Sequence, residues 1–160
     1  MNRFLDFARN TSSKGKFINE CIFTQTKIIK DSATDRVSEL ASDNPKIISN
    51  LIELFNLSQD RNVRQRIIFS LGKVAHNNKQ ATIFLLGVLE TITDPVLGET
   101  ALYFLGKIKA PELLELVVRN LKEYEGAEVE DILWYCAQSM TYPDFYLAWN
   151  SSSNSQLLEE

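Results

Sequence analysis

The sequence is poor in the groups on which catalysis and metal binding depend. It has one histidine, His76, and two cysteines, Cys21 and Cys136. A zinc triad of the common type needs more histidine than that. Two cysteines without partner spacing give neither a disulfide framework nor a metal site, and they suit a reducing cytoplasm. No Gly-X-X-X-X-Gly-Lys-Ser/Thr phosphate loop occurs, which excludes a phosphate-loop NTPase within these residues. No run approaches the roughly 18 apolar residues that cross a bilayer. The opening Met1–Arg9 is too charged for a secretory signal. Positive charge is also short: 17 Lys and Arg stand against 21 Asp and Glu, a net charge of -4. That balance gives no electrostatic drive toward nucleic acid or anionic lipid. The expectation is a cytoplasmic protein with no cofactor, no catalytic residues and no membrane association.

What is present is periodic. The 160 residues are 44% apolar, enough for one domain with a real core. Pro45, Pro111 and Pro143 each open an apolar run of helical character. Proline suits the first helical position, where its missing N–H has no partner in any case. Asn77 opens a fourth such run, and the starts 45, 77, 111 and 143 are 32, 34 and 32 residues apart. Asn44 and Asp94 precede prolines as N-caps. The segments ahead of these points also match one another. Ile67-Ile68-Phe69-Ser70-Leu71-Gly72-Lys73-Val74 aligns with Ala101-Leu102-Tyr103-Phe104-Leu105-Gly106-Lys107-Ile108, and more loosely with Ile132–Ser139. Gly72, Gly106 and Ala137 share one aligned position, where a small residue is expected to let the next helix approach. Gly106→Leu should then overpack at a cost of about 1–3 kcal/mol.

Self-similarity at this period, with two helical runs per unit, predicts an all-α fold: a right-handed α-solenoid of about four helix pairs. Alternation with period 2 is nowhere sustained, whereas i, i+3, i+4, i+7 spacing recurs, as in Ile48, Leu51, Ile52 and Phe55. Residues 1–16 read as a flexible lead-in, 17–150 as the repeat domain and 151–160 as a disordered tail. Within the domain, helices are expected over 17–30, 33–42, 45–57, 61–75, 77–90, 95–108, 111–123, 127–140 and 143–150.

The stretch from Asp94 to Ile108, Asp-Pro followed by Ala-X-X-X-Leu-Gly-Lys-Ile, resembles HEAT-like repeats, and the likeness extends over roughly Ala33 to Trp149. The last unit, Ile132 to Trp149, is similar to the helical C-terminal region of cyanobacterial NACHT-type NTPases, through Cys-Ala-Gln, Tyr-Pro-Asp-Phe-Tyr and Ala-Trp. The first resemblance implies a scaffold. The second implies the sensor or regulatory part of a defence system, detached from its NTPase.

Each chemically suggestive residue has a plainer structural role to set beside it. His76 falls at a turn. Cys136 lies on an apolar stripe with Leu133 and Trp134 and is expected to pack as an inert thiol. Glu123, Glu125, Glu128, Glu130 and Asp131 surround Gly126. Their spacing does not fit an EF-hand loop, and acidic residues at a helix start favour its dipole. Asp60, Arg61, Arg64 and Arg66 open another helix as a small basic face. The aromatics from Trp134 to Trp149 close the last repeat or form a binding surface, with Tyr142 and Trp149 the candidates for exposure. The sequence thus points to a non-catalytic module binding a protein partner. Lys46, Asn50, Lys79, Glu115 and Arg119 on the second helices, with Tyr142 and Trp149, are the candidate contacts. The alternatives are a subunit of a HEAT-like phycobilin chromophore lyase and a DNA-binding repeat of the alkylation-repair kind, although the acidic balance disfavours nucleic acid. Oligomeric state stays open.

Overall fold

The computed structural model describes residues 27–151, and among them every regular element is a helix. In chain order these are α1 (Lys27–Asp43), α2 (Pro45–Leu57), α3 (Arg61–Ala75), α4 (Lys79–Thr91), α5 (Pro95–Leu105), α6 (Pro111–Leu121), α7 (Ala127–Ser139) and α8 (Tyr142–Asn150). The connections are short, and these helices succeed one another in the order that the repeat spacing predicts. The lead-in and the tail lie outside the described residues. So does the predicted helix over 17–30, except for its last turn, which belongs to α1. That helix runs through the expected break at residues 31–32 without interruption.

The starts follow the capping logic of the sequence. Asn44 accepts from the N–H of Lys46 and Asp94 from that of Val96, each at 3.0 Å and each ahead of a proline. Asn78, one residue after the predicted start, caps α4 by accepting from Ala81 N. Thr141 caps α8 in the same way through Asp144 N. Gly126 is the N-cap of α7 at φ +134°, a conformation that favours glycine over any residue with a Cβ. The aligned Leu-Gly-Lys segments diverge at their ends. α3 continues past Gly72 to Ala75, while α5 stops at Leu105 and Gly106 becomes its C-cap. Gly106 is exposed, and the atom nearest to a Cβ there is Ile132 Cγ1, at 3.4 Å. The expected close approach is therefore ordinary van der Waals contact. Gly72 is buried and Ala137 exposed, so the three aligned small residues have different surroundings.

The chain divides into two compact units between Val74 and Ala75. In the first, α1 and α2 pack together. Ala33, Val37 and Ala41 form a stripe at four-residue spacing on α1, and Ile48, Leu51, Leu54 and Phe55 are the buried set of α2. Lys73 of α3 pairs with Asp35 of α1. Arg64 Nε donates to Ser58 O at 2.7 Å, and its guanidinium lies over the Phe55 ring, 5.2 Å from the centroid. The buried apolar residues of α3 in this unit are Ile67, Ile68, Leu71 and Val74.

In the second unit α6 is the hub, touching α4, α7 and α8. Leu113, Leu114, Val117, Val118 and Leu121 are all buried there, the i, i+3, i+4, i+7 pattern of a helix with one wide apolar face. Burying five such side chains stabilises the unit by roughly 1.5–3 kcal/mol each before chain entropy is counted. The Thr82 hydroxyl, fully buried, lies within bonding reach of Ala75 O (2.9 Å) and Asn78 O (3.0 Å), tying the turn to α4.

Candidate functional site

The site grows from the two faces of α7. Val129, Ile132 and Cys136 share one face and are buried. Leu133, Trp134 and Ala137 fall on another side of the same helix, one turn above Glu130. They are apolar but open to solvent or only partly covered, with Trp134 68% exposed. A helix apolar on two sides must bury both or offer one to a partner.

The second wall is α8. This nine-residue helix buries only Ala148. Tyr142 and Tyr146, one turn apart, stack with ring centroids 6.0 Å apart, and Phe145 and Trp149 stack at 5.7 Å. Tyr142 is 79% exposed, Tyr146 55%, Leu147 66% and Trp149 42%. An open groove of about 540 Å³ runs between the helices, lined by Trp134, Tyr142, Phe145, Tyr146 and Trp149 with Leu133, Ala137, Asn150 and the carboxylate-bearing Glu130. Lys122 anchors the far end of α8. Its Nζ donates to Trp149 O at 2.6 Å and to Ser151 O, although only 10% of its side chain is exposed. A buried cation on the last carbonyls of a helix satisfies orphan acceptors and complements the dipole.

The other candidates are scattered. Lys46 and Asn50 are on α2, in the first unit, exposed and half-buried respectively. Lys79 is exposed at the start of α4. On α6, Arg119 Nη2 donates to Glu115 Oε1 at 2.5 Å, an i,i+4 pair closed upon itself. Only Tyr142 and Trp149 of the seven line the groove. Trp134, Phe145, Tyr146 and Glu130 belong to it and were not among the seven. The phase of α7 carried the signal for Trp134, because it stands about 200° around the helix from buried Ile132.

Cys136 is fully buried, and desolvation pushes its thiol up to about 11 despite an opposing backbone hydrogen bond, so it does not ionise near neutrality. Burial also raises the Tyr124 phenol, with the Glu90 carboxylate adding to the shift. His76 is exposed in the turn before α4. Among the described residues no three His, Cys, Asp or Glu side chains converge as a metal site requires. The basic face at α3 is partly committed, since Arg64 holds Ser58 O and Phe55. No described helix is long and apolar enough to cross a membrane.

The comparisons with known proteins converge on the same segments. Residues 48–133 match the family model described as HEAT repeats. Residues 120–150 match the one described as NACHT C-terminal Cysteine and Histidine-containing. That second stretch contains Cys136 but no histidine. It also holds both walls of the groove. No curated protein and no solved structure matches the chain significantly.

Proposed function

Since the chain belongs to the HEAT-repeat family, we propose that it is a non-catalytic binding module whose contact surface is the aromatic groove between α7 and α8. Its partner is a protein, and the module serves as the sensor or regulatory part of a NACHT-type NTPase system in the cytoplasm. One observation carries the reading. Trp134, Tyr142, Tyr146, Leu147 and Trp149 stand exposed on two adjacent helices within the segment similar to NACHT C-terminal regions. Tryptophan and tyrosine dominate the energetics of protein interfaces, and a contiguous apolar patch exposed to water marks a contact site. The buried thiol of Cys136 and the solitary His76 supply no rival centre of reactivity.

The test is reconstitution with a NACHT-type NTPase from the same genome. Association is followed by titration calorimetry, and ATP turnover is measured with and without the module. Trp134→Ala and Tyr146→Ala remove exposed rings, so the fold survives. Each should weaken association by about thirtyfold, as a hot-spot loss of ~2 kcal/mol implies. Undiminished association in both variants, coupled with a loss on changing Lys46 and Lys79, would move the contact to the second helices and refute the groove.

A further inference from the structure

We propose that the groove receives a cationic side chain, lysine or arginine, set between apolar side chains on a partner peptide. The inference rests on the contact-surface reading above and specifies its chemistry. Three observations carry it. Exposed aromatic side chains line the groove, and the face of such a ring attracts a cation through its quadrupole. Glu130 is the one charged residue in the lining, and its carboxylate has no ion-pair partner among the described residues. The charge of the segment that holds the groove has one sign: from Glu123 to Ser151 the sequence has six acidic residues and no lysine, arginine or histidine. Lys122, the last cation in the chain, is held by the carbonyls of Trp149 and Ser151 and is not available to neutralise the groove.

This balance also disfavours other occupants. Two copies meeting through the same face would oppose like charges. Nucleic acid and anionic lipid would meet a segment of net charge -6 by the same count. An aliphatic peptide without a cation would cover the rings but leave the exposed Glu130 carboxylate at the groove without a counter-charge. A cation among apolar side chains meets both requirements.

The chain's two tryptophans both line the groove, so indole fluorescence reports on it directly. The probe is the peptide acetyl-Gly-Leu-Arg-Leu-Gly-amide, titrated into the intact chain against the same peptide with citrulline, the uncharged near-isostere of arginine. The arginine peptide should bind about tenfold more tightly, the scale of a partly desolvated cation–π contact. Glu130→Gln should reduce that preference several-fold. Trp134→Leu, which keeps an apolar side chain but removes the ring, should weaken the arginine peptide more than the citrulline peptide and so reduce the preference. Equal binding of the two peptides would overturn the cationic reading yet leave the groove as a contact surface. Two further outcomes would also overturn it: no binding of either peptide at millimolar concentration, or self-association of the chain abolished by Trp134→Ala. None of these measurements involves an NTPase, so they stand or fall separately from the reconstitution.

Discussion

Lys122→Met is the sharpest perturbation of the architecture that presents the groove. The substitution keeps an apolar stem of similar length and removes the ammonium. Two hydrogen bonds, to Trp149 O in the last turn of α8 and to the O of its C-cap Ser151, disappear with it. A hydrogen bond to a charged group contributes about 1.5–3 kcal/mol when buried. The helix end is partly open, so the released carbonyls recover water and most of that gain. Adding about 0.3–1 kcal/mol for the helix dipole brings the expected loss to about 1–2 kcal/mol. The exposed Glu123 carboxylate, 4.0 Å from the ammonium, contributes little. The loss is concentrated in α8, whose one buried residue is Ala148. Thermal unfolding monitored by tryptophan fluorescence should show a midpoint lower by about 3–6 °C, with Lys122→Arg recovering part of it. An unchanged midpoint in Lys122→Met would show that this cation does not hold α8, and the reasoning would fail.

Three further outcomes concern two buried groups and one turn. The Cys136 thiol titrates at about 11 in the folded chain, above its ordinary value of 9.0. Between those pH values the unfolded state has lost a proton that the folded state keeps, so stability falls as pH rises from about 9 to 11, by up to about 2–3 kcal/mol. Urea unfolding across that window should show a shallower decline in Cys136→Ala than in the native chain; parallel curves would contradict the burial argument. The side-chain Oδ1 of buried Asn120 has no partner while its Nδ2 donates to Leu116 O at 2.8 Å. Asn120→Leu should therefore raise stability by about 1 kcal/mol in denaturant titration, and a clear loss would mean that the amide is satisfied. Gly106 has φ -67° and a Cβ there meets its neighbours at ordinary contact distance, so Gly106→Ala should stabilise by about 0.4–1 kcal/mol through the unfolded state. A melting midpoint lowered by the alanine would restore the close helix approach that the repeat alignment implied.

Most of the fold is legible from punctuation. Asn44-Pro45, Asp94-Pro95 and Pro111 fix three helix starts because caps and prolines act locally. The ends are less readable. Leu71-Gly72-Lys73 and Leu105-Gly106-Lys107 are nearly the same string, yet one continues as helix and the other turns. The downstream residues decide between these outcomes, since Pro111 forces a new start soon after Gly106 and no proline stands close behind Gly72. The groove is only half legible. Composition draws attention to the crowded aromatics, and Tyr142 and Trp149 stand out at the ends of their run. Whether aromatic side chains close a core or face water depends on what packs beside them. α5, α6 and α8 all pack on α7, burying Val129, Ile132 and Cys136 and leaving Trp134 exposed.

The central claim is that the surface of α7 and α8 is where this module meets its partner. Hydrogen exchange with and without the bound NACHT-type NTPase tests it most directly. Slowed exchange concentrated in residues 127–150 is the predicted footprint. Protection confined to α2 and α4, with that segment exchanging as fast as in the free chain, would contradict it.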